Sequence, residues 1–153
     1  MKKIIYLTIV AMMFLGCSKD DNDTNGEITS GDVEAIKSTA QSGEWHVSSY
    51  VDSGNDETTD YTGYRFTFGP NGVLGVTDGT TALSGAWSIT TSDSGDDDSS
   101  DDDVDFNIIF NGSELFEELT DDWDIVKYSS SKIELFDVSG GDGTTDYLTF
   151  EKM

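Results

Sequence analysis

The sequence predicts an all-β protein, an eight-stranded antiparallel up-and-down barrel with a short N-terminal helix. Three observations predict it. From Trp45 onward, large apolar residues recur at every second position in short runs, the period of half-buried strands. Clusters of Gly, Ser, Asn and Asp separate the runs, and the chain holds 16 glycines against one proline, which suits strands joined by tight turns. Only one helix-like interruption falls among the runs. An open sheet of so many strands would leave two unpaired edges in water, and closure removes both.

The chain opens with Met1, Lys2 and Lys3, followed by an apolar run from Ile4 to Leu15. Twelve helical residues rise about 18 Å, well short of the ~30 Å hydrocarbon core. Residues 1–16 therefore read as a signal peptide and not as a spanning helix. Gly16 offers the small side chain that a peptidase requires, and Cys17, the only cysteine, follows at once. Phe14-Leu15-Gly16-Cys17 resembles the lipobox of bacterial lipoproteins, with Phe14 standing where an aliphatic residue is commoner. That resemblance implies that the Cys17 thiol takes a diacylglyceryl group, that the bond before it is cut, and that the new amine is acylated. Each buried methylene contributes about 0.8 kcal/mol, so two or three acyl chains give a stable anchor where one does not. Ser18 resembles the signal for sorting to an outer membrane. The acidic run behind it, Asp20, Asp21 and Asp23, resembles the surface-export tether of Bacteroidetes lipoproteins. The division expected is a signal peptide over 1–16, an acidic tether over 17–30 and the barrel domain over 31–153, lipid-anchored at the outer membrane, on either its inner or its surface side.

Asp21, Asp23, Asn25, Gly26, Ile28 and Asp32 fall at positions 1, 3, 5, 6, 8 and 12 of a calcium-loop pattern, in which alternate oxygens converge on the ion and glycine permits the turn. Position 12 is the short Asp32 and not a bidentate Glu, and the loop starts too close to Cys17 for an entering helix. The stretch is read as a solvated tether, and no metal site is assigned. Residues 32–41 have helix-forming character: Ser30 or Asp32 could cap them, Val33, Ile36 and Ala40 make the apolar stripe, and Gly43 ends the segment. So short a helix must pack on the domain to be stable.

In the first strand run, Trp45, Val47 and Val51 are expected inward, with His46, Ser48 and Tyr50 outward. Tyr64, Phe66 and Phe68 form the second, and Gly69-Pro70-Asn71-Gly72 turns it into Val73–Thr77. Proline presets one turn dihedral there and Asn-Gly accepts positive φ. Next come Leu83–Thr90 with Trp87 and Ile89, then an acidic loop, then Val104, Phe106, Ile108 and Phe110. A short helical turn is expected around Ser113–Leu119, followed by runs at Trp123–Tyr128, Lys132–Val138 and Tyr147–Glu151. An eight-stranded barrel has an interior just wide enough for side chains or one small ligand.

These residues carry a second resemblance. Gly43-Glu44-Trp45 looks like the Gly-x-Trp that opens the first lipocalin strand, and Gly85-Ala86-Trp87 repeats the spacing. With "YRFTFGPNG", "WDIVKYSSSKIEL" and "DYLTFEK", the set resembles the lipocalin-like domains of Bacteroidetes lipoproteins over residues 41 to 153. It implies that Trp45 plugs the barrel floor. Lipocalins often pack an arginine from the last strand on that tryptophan; this chain offers only Lys152 there. The Thr-Asp-Tyr matches at 59–61 and 145–147 do not lie between the strands where the family carries that motif.

The formal charge of −23 repels phosphate backbones, so nucleic acid is excluded as a partner. Residues 92–105 hold eight aspartates, read as a self-repelling loop kept in solvent. His46 is the only histidine, and nothing marks a serine or acid placed to work with it. No catalytic residue and no cofactor are assigned, and the protein is expected not to be an enzyme. The expectation is an envelope lipoprotein anchored through Cys17, monomeric, whose barrel binds a small apolar molecule or lipid. The alternative is an interaction or accessory module of an outer-membrane or surface complex.

Overall fold

A computed structural model describes residues 27–92, 103–138 and 143–153. The lipobox, Cys17, residues 17–26 of the tether and the greater part of the acidic loop lie outside the described residues. The rest forms the expected barrel. Nine strands follow in order: β1 (Trp45–Asp52), β2 (Asn55–Asp56), β3 (Arg65–Phe68), β4 (Val73–Thr77), β5 (Ala82–Ser92), β6 (Asp103–Ile109), β7 (Asp121–Tyr128), β8 (Lys132–Val138) and β9 (Thr145–Lys152). From β3 onward each pairs antiparallel with the next, and β1 pairs with both β3 and β9, closing an eight-stranded barrel. The ninth, β2, is a two-residue hairpin return on the end of β1.

The helix α1 spans Val33–Ala40 behind a 3-10 turn at Ser30–Asp32. Its stripe is as expected, with Ile36 and Ala40 fully buried and Val33 packed against the core. Asp32 does not cap α1 from its own N-terminus. Its carboxylate reaches back to accept from Thr29 N at 3.0 Å and Thr29 Oγ1 at 2.9 Å, and these bonds hold its pKa below the usual carboxylate range. A second short helix, α2 (Glu114–Glu117), lies between β6 and β7, where the helical turn was expected. The Gly69–Gly72 turn forms as its residues dictate: Gly72 takes φ of 74°, and Gly69 N donates to Val73 O at 2.7 Å.

One expectation is overturned inside β1. Tyr50, expected outward, is buried, while Val51 turns to the outer face. The register against β9 shifts between Val47 and Ser49. That bulge inserts one residue, and because the side-chain period is two, one extra residue reverses every face that follows.

Candidate functional site

The barrel interior is an aromatic stack assembled from almost every element. Trp87 meets Phe68 at 5.2 Å between ring centroids, Phe68 meets Phe150 at 5.4 Å, and Phe150 meets Phe66 at 5.3 Å. Phe66 continues to Phe116 at 6.1 Å, Phe116 to Tyr61 at 6.0 Å, Tyr61 to Tyr50 at 5.3 Å, and Tyr50 to Trp123 at 6.5 Å. Every one of these pairs is edge-to-face, the arrangement favoured by the ring quadrupole and worth about 0.5–1.5 kcal/mol per pair beyond area burial. The path runs unbroken from β5 to β7 through the middle of the barrel. Gly85 makes room for its flank, because a Cβ there would stand 2.7 Å from the Phe110 ring and 2.5 Å from Ile109 O.

The three indole N–H groups each find a backbone carbonyl at the end of an element. Trp45 Nε1 donates to Ala40 O at 2.8 Å, Trp87 Nε1 to Gly69 O at 2.9 Å and Trp123 Nε1 to Leu119 O at 3.1 Å. The tryptophans thus fasten α1, the β3–β4 turn and the end of the α2 segment to the core while satisfying polar groups that burial would otherwise penalise.

At the α1 end of the barrel, Lys152 fills the place discussed for the lipocalin arginine. Its Nζ lies 5.4 Å from the centroid of the Trp45 ring, within cation–π range. It also donates to Ser42 Oγ at 2.7 Å and Ser130 O at 3.1 Å. Gly43 explains the first half of the Gly-x-Trp spacing: a Cβ there would stand 3.0 Å from the Lys152 stem.

The opposite end is acidic. Tyr50 Oη donates to Glu118 O at 3.0 Å, and Tyr61 Oη donates to Leu115 O at 2.9 Å. Burial pushes the Tyr50 phenol up, and the carboxylates of Asp52, Glu118, Asp146 and Glu57 add to it. Burial likewise raises Tyr61, helped by Tyr50 and Glu118. Asp121, at the start of β7, is pushed up to about 6, first by burial. Both phenols stay protonated and serve as donors, so they bind the α2 segment to the barrel and offer no nucleophile.

His46 lies on the outer strand face as expected, opposite Glu151 in register. Its Nδ1 is buried without a hydrogen-bond partner. Among the described residues, no group of His, Cys, Asp and Glu is arranged to hold a metal ion, and no helix is long and apolar enough to cross a membrane. The aromatics expected in the core are buried, apart from the partly buried Tyr64. Sequence reasoning missed Tyr50, Tyr61, Phe116 and Tyr128, all buried.

Comparison with protein-family models, with curated proteins and with solved structures finds no match. The class rests on the topology itself, a closed antiparallel barrel consistent with a lipocalin-like one.

Proposed function

We propose that this chain is an envelope lipoprotein of the outer membrane, held by acyl chains on Cys17, whose barrel acts as an interaction or accessory module for another envelope protein. The anchor rests on the sequence pattern of Lys2-Lys3, the apolar run Ile4–Leu15 and Gly16-Cys17, with Ser18 and the acids behind it supporting outer-membrane sorting. The module reading rests on one observation: the interior rings touch one another from Trp87 to Trp123. A barrel whose side chains occupy its own interior works through its outer face.

A second reading, a small apolar molecule or lipid as ligand, draws support from Tyr64 and Leu115. Both are partly exposed and pack against the core, Tyr64 at 5.0 Å from the Phe116 ring. Native mass spectrometry of the chain released from its own membrane separates the two. A stoichiometric protein partner with no co-purifying lipid mass beyond the anchor supports the module. A bound lipid that survives release, without a protein partner, overturns it in favour of the ligand reading. For the anchor, Cys17→Ser should abolish labelling by radioactive palmitate and release the chain from membranes; labelling that persists refutes it.

A further inference from the structure

The strand registers line up one row of residues across seven strands on the outside of the barrel. It runs Thr90, Asp105, Asp124, Phe136, Tyr147, Val51 and Asp56, each opposite the next. The fourth to sixth, Phe136, Tyr147 and Val51, are apolar. Tyr147 is 50% exposed and Val138, two residues along β8 from Phe136 on the same face, is 52% exposed. Aspartates stand on both sides of this apolar centre. Two of them, Asp105 and Asp124, face each other directly, a placement that costs stability in a sheet. Partial burial raises the pKa of each, with Asp122 and Asp103 adding at Asp105 and Asp105 and Asp103 adding at Asp124, while a hydrogen bond with Thr90 opposes the rise at Asp105.

We propose that this row is the docking surface of the module, and that its occupant is a cationic amphipathic segment of another protein, apolar in the middle and basic at both ends. The inference rests on the interaction-module reading and adds the site and the chemistry of the partner. Charge selects the occupant. A second copy would bring aspartate against aspartate, and an anionic lipid surface would be repelled by a chain of charge −23. From Asp56 to Asp124 the row spans four interstrand steps, a path of about 19 Å around the curved barrel surface at the usual spacing. The basic groups of the occupant should lie no further apart than that, at most about 13 residues on a helix.

The probes are synthetic helical peptides of about 15 residues: one with lysine pairs at both ends and leucines along one face between them, and one of equal charge with serines for the leucines. Binding is read on the full-length chain in nanodiscs of zwitterionic lipid at physiological salt. The leucine peptide should bind about tenfold more tightly than the serine peptide, and Phe136→Thr/Tyr147→Thr should remove that preference. Asp124→Asn should weaken the leucine peptide about threefold without unfolding the barrel, since it relieves a like-charge pair. Val73→Thr/Ile109→Thr, in another exposed row of the barrel, should change nothing. Equal binding of both peptides, or equal loss in the control, overturns the proposal. A second arm places a photo-crosslinking residue at Tyr147 or at Val73 in native membranes. Crosslinks to a partner from position 73 but not 147 reject this surface while keeping the module reading. Crosslinks from neither reject both, and a crosslink from 147 whose partner peptide carries the basic-apolar-basic pattern supports both.

Discussion

Strand β1 is held very differently along its two edges. On one side it pairs with β9 at six registered positions, from Trp45 opposite Lys152 to Val51 opposite Tyr147. On the other it meets β3 at a single position, Trp45 opposite Phe66. Beyond that point the edge is finished by the two-residue return of β2, by Glu57 N donating to Tyr50 O at 3.0 Å, and by a side chain. Thr58 Oγ1 accepts from Tyr50 N at 2.9 Å and donates to Tyr50 O at 3.3 Å. Thr120 plays the same part for Phe110 between β6 and β7. A barrel can therefore be closed by a long ladder on one side of a strand and, on the other, by short backbone pairings with one hydroxyl between them. The patchwork suffices because a strand edge needs its donors and acceptors satisfied, whatever satisfies them.

The largest effect on this contrast should come from Trp45, the residue registered to both β3 and β9. Trp45→Ala should cost about 3–5 kcal/mol in denaturant titration and loosen both edges together. A loss under about 1 kcal/mol would mean that the indole is not what joins them. Thr58→Val keeps the shape but leaves the Tyr50 amide without its acceptor, at a cost of about 1–3 kcal/mol. Hydrogen exchange should then speed at Tyr50 and leave the β8–β9 ladder unchanged; uniform acceleration would deny that the edge is a separate local element. Lys152→Met retains most of the stem over Trp45 and removes the cation, and should lower stability by about 0.5–1 kcal/mol. An unchanged melting temperature would leave the ring contact without weight.

Acidification should widen the contrast by the smallest margin. Asp105, Asp121, Asp124 and Asp137 all lie on β6, β7 and β8, and burial raises each of them. A raised carboxylate adds stability that is fully present below the unfolded value, about 3.9, and is lost as pH rises through the folded one. For Asp121 that folded value is about 6. Lowering pH from about 7.5 to about 5 should therefore raise protection factors, rates corrected for the intrinsic pH dependence of exchange, in β6–β8. At the seam Asp56 is lowered by its bonds to Thr58 while Glu57 is raised by burial and its acidic neighbours, so the two oppose and Tyr50 should gain less protection than β6–β8. Protection factors that fall in β6–β8 on acidification would reverse the sign and refute the prediction.

The barrel was legible in the sequence because its alternation is long and its turns carry their own chemistry. Gly69–Gly72 and the core set of Trp45, Phe66, Phe68, Trp87, Phe106 and Phe150 could be read from local patterns alone. Tyr50 and Val51 could not, since a bulge is a backbone event, and the Ser48-Ser49 pair beside it suits either face. Tyr61 and Phe116 come from a 3-10 turn and a one-turn helix, where a two-residue period has no meaning. The outer row was beyond reach for a different reason. Each of its members looks like an ordinary outward residue in its own strand, and only the registers of seven strands bring the aspartates to either side of Phe136, Tyr147 and Val51. The anchor proposed at Cys17, by contrast, is argued from a linear pattern, which needs no register to be recognised.

The ladder between β1 and β9 joins residues far apart in the chain; Ser48 Oγ donates to Thr149 O across 101 positions. The first strand of the barrel thus has no partner on that side until β9 has been synthesised. Pairing so distant is slow to form, because loop closure precedes any reward from contact. For a chain that must cross a membrane unfolded, as proposed here, that delay has a use. Every nascent chain that has not yet reached β9 lacks its clasp, so the barrel cannot lock shut before that strand is made.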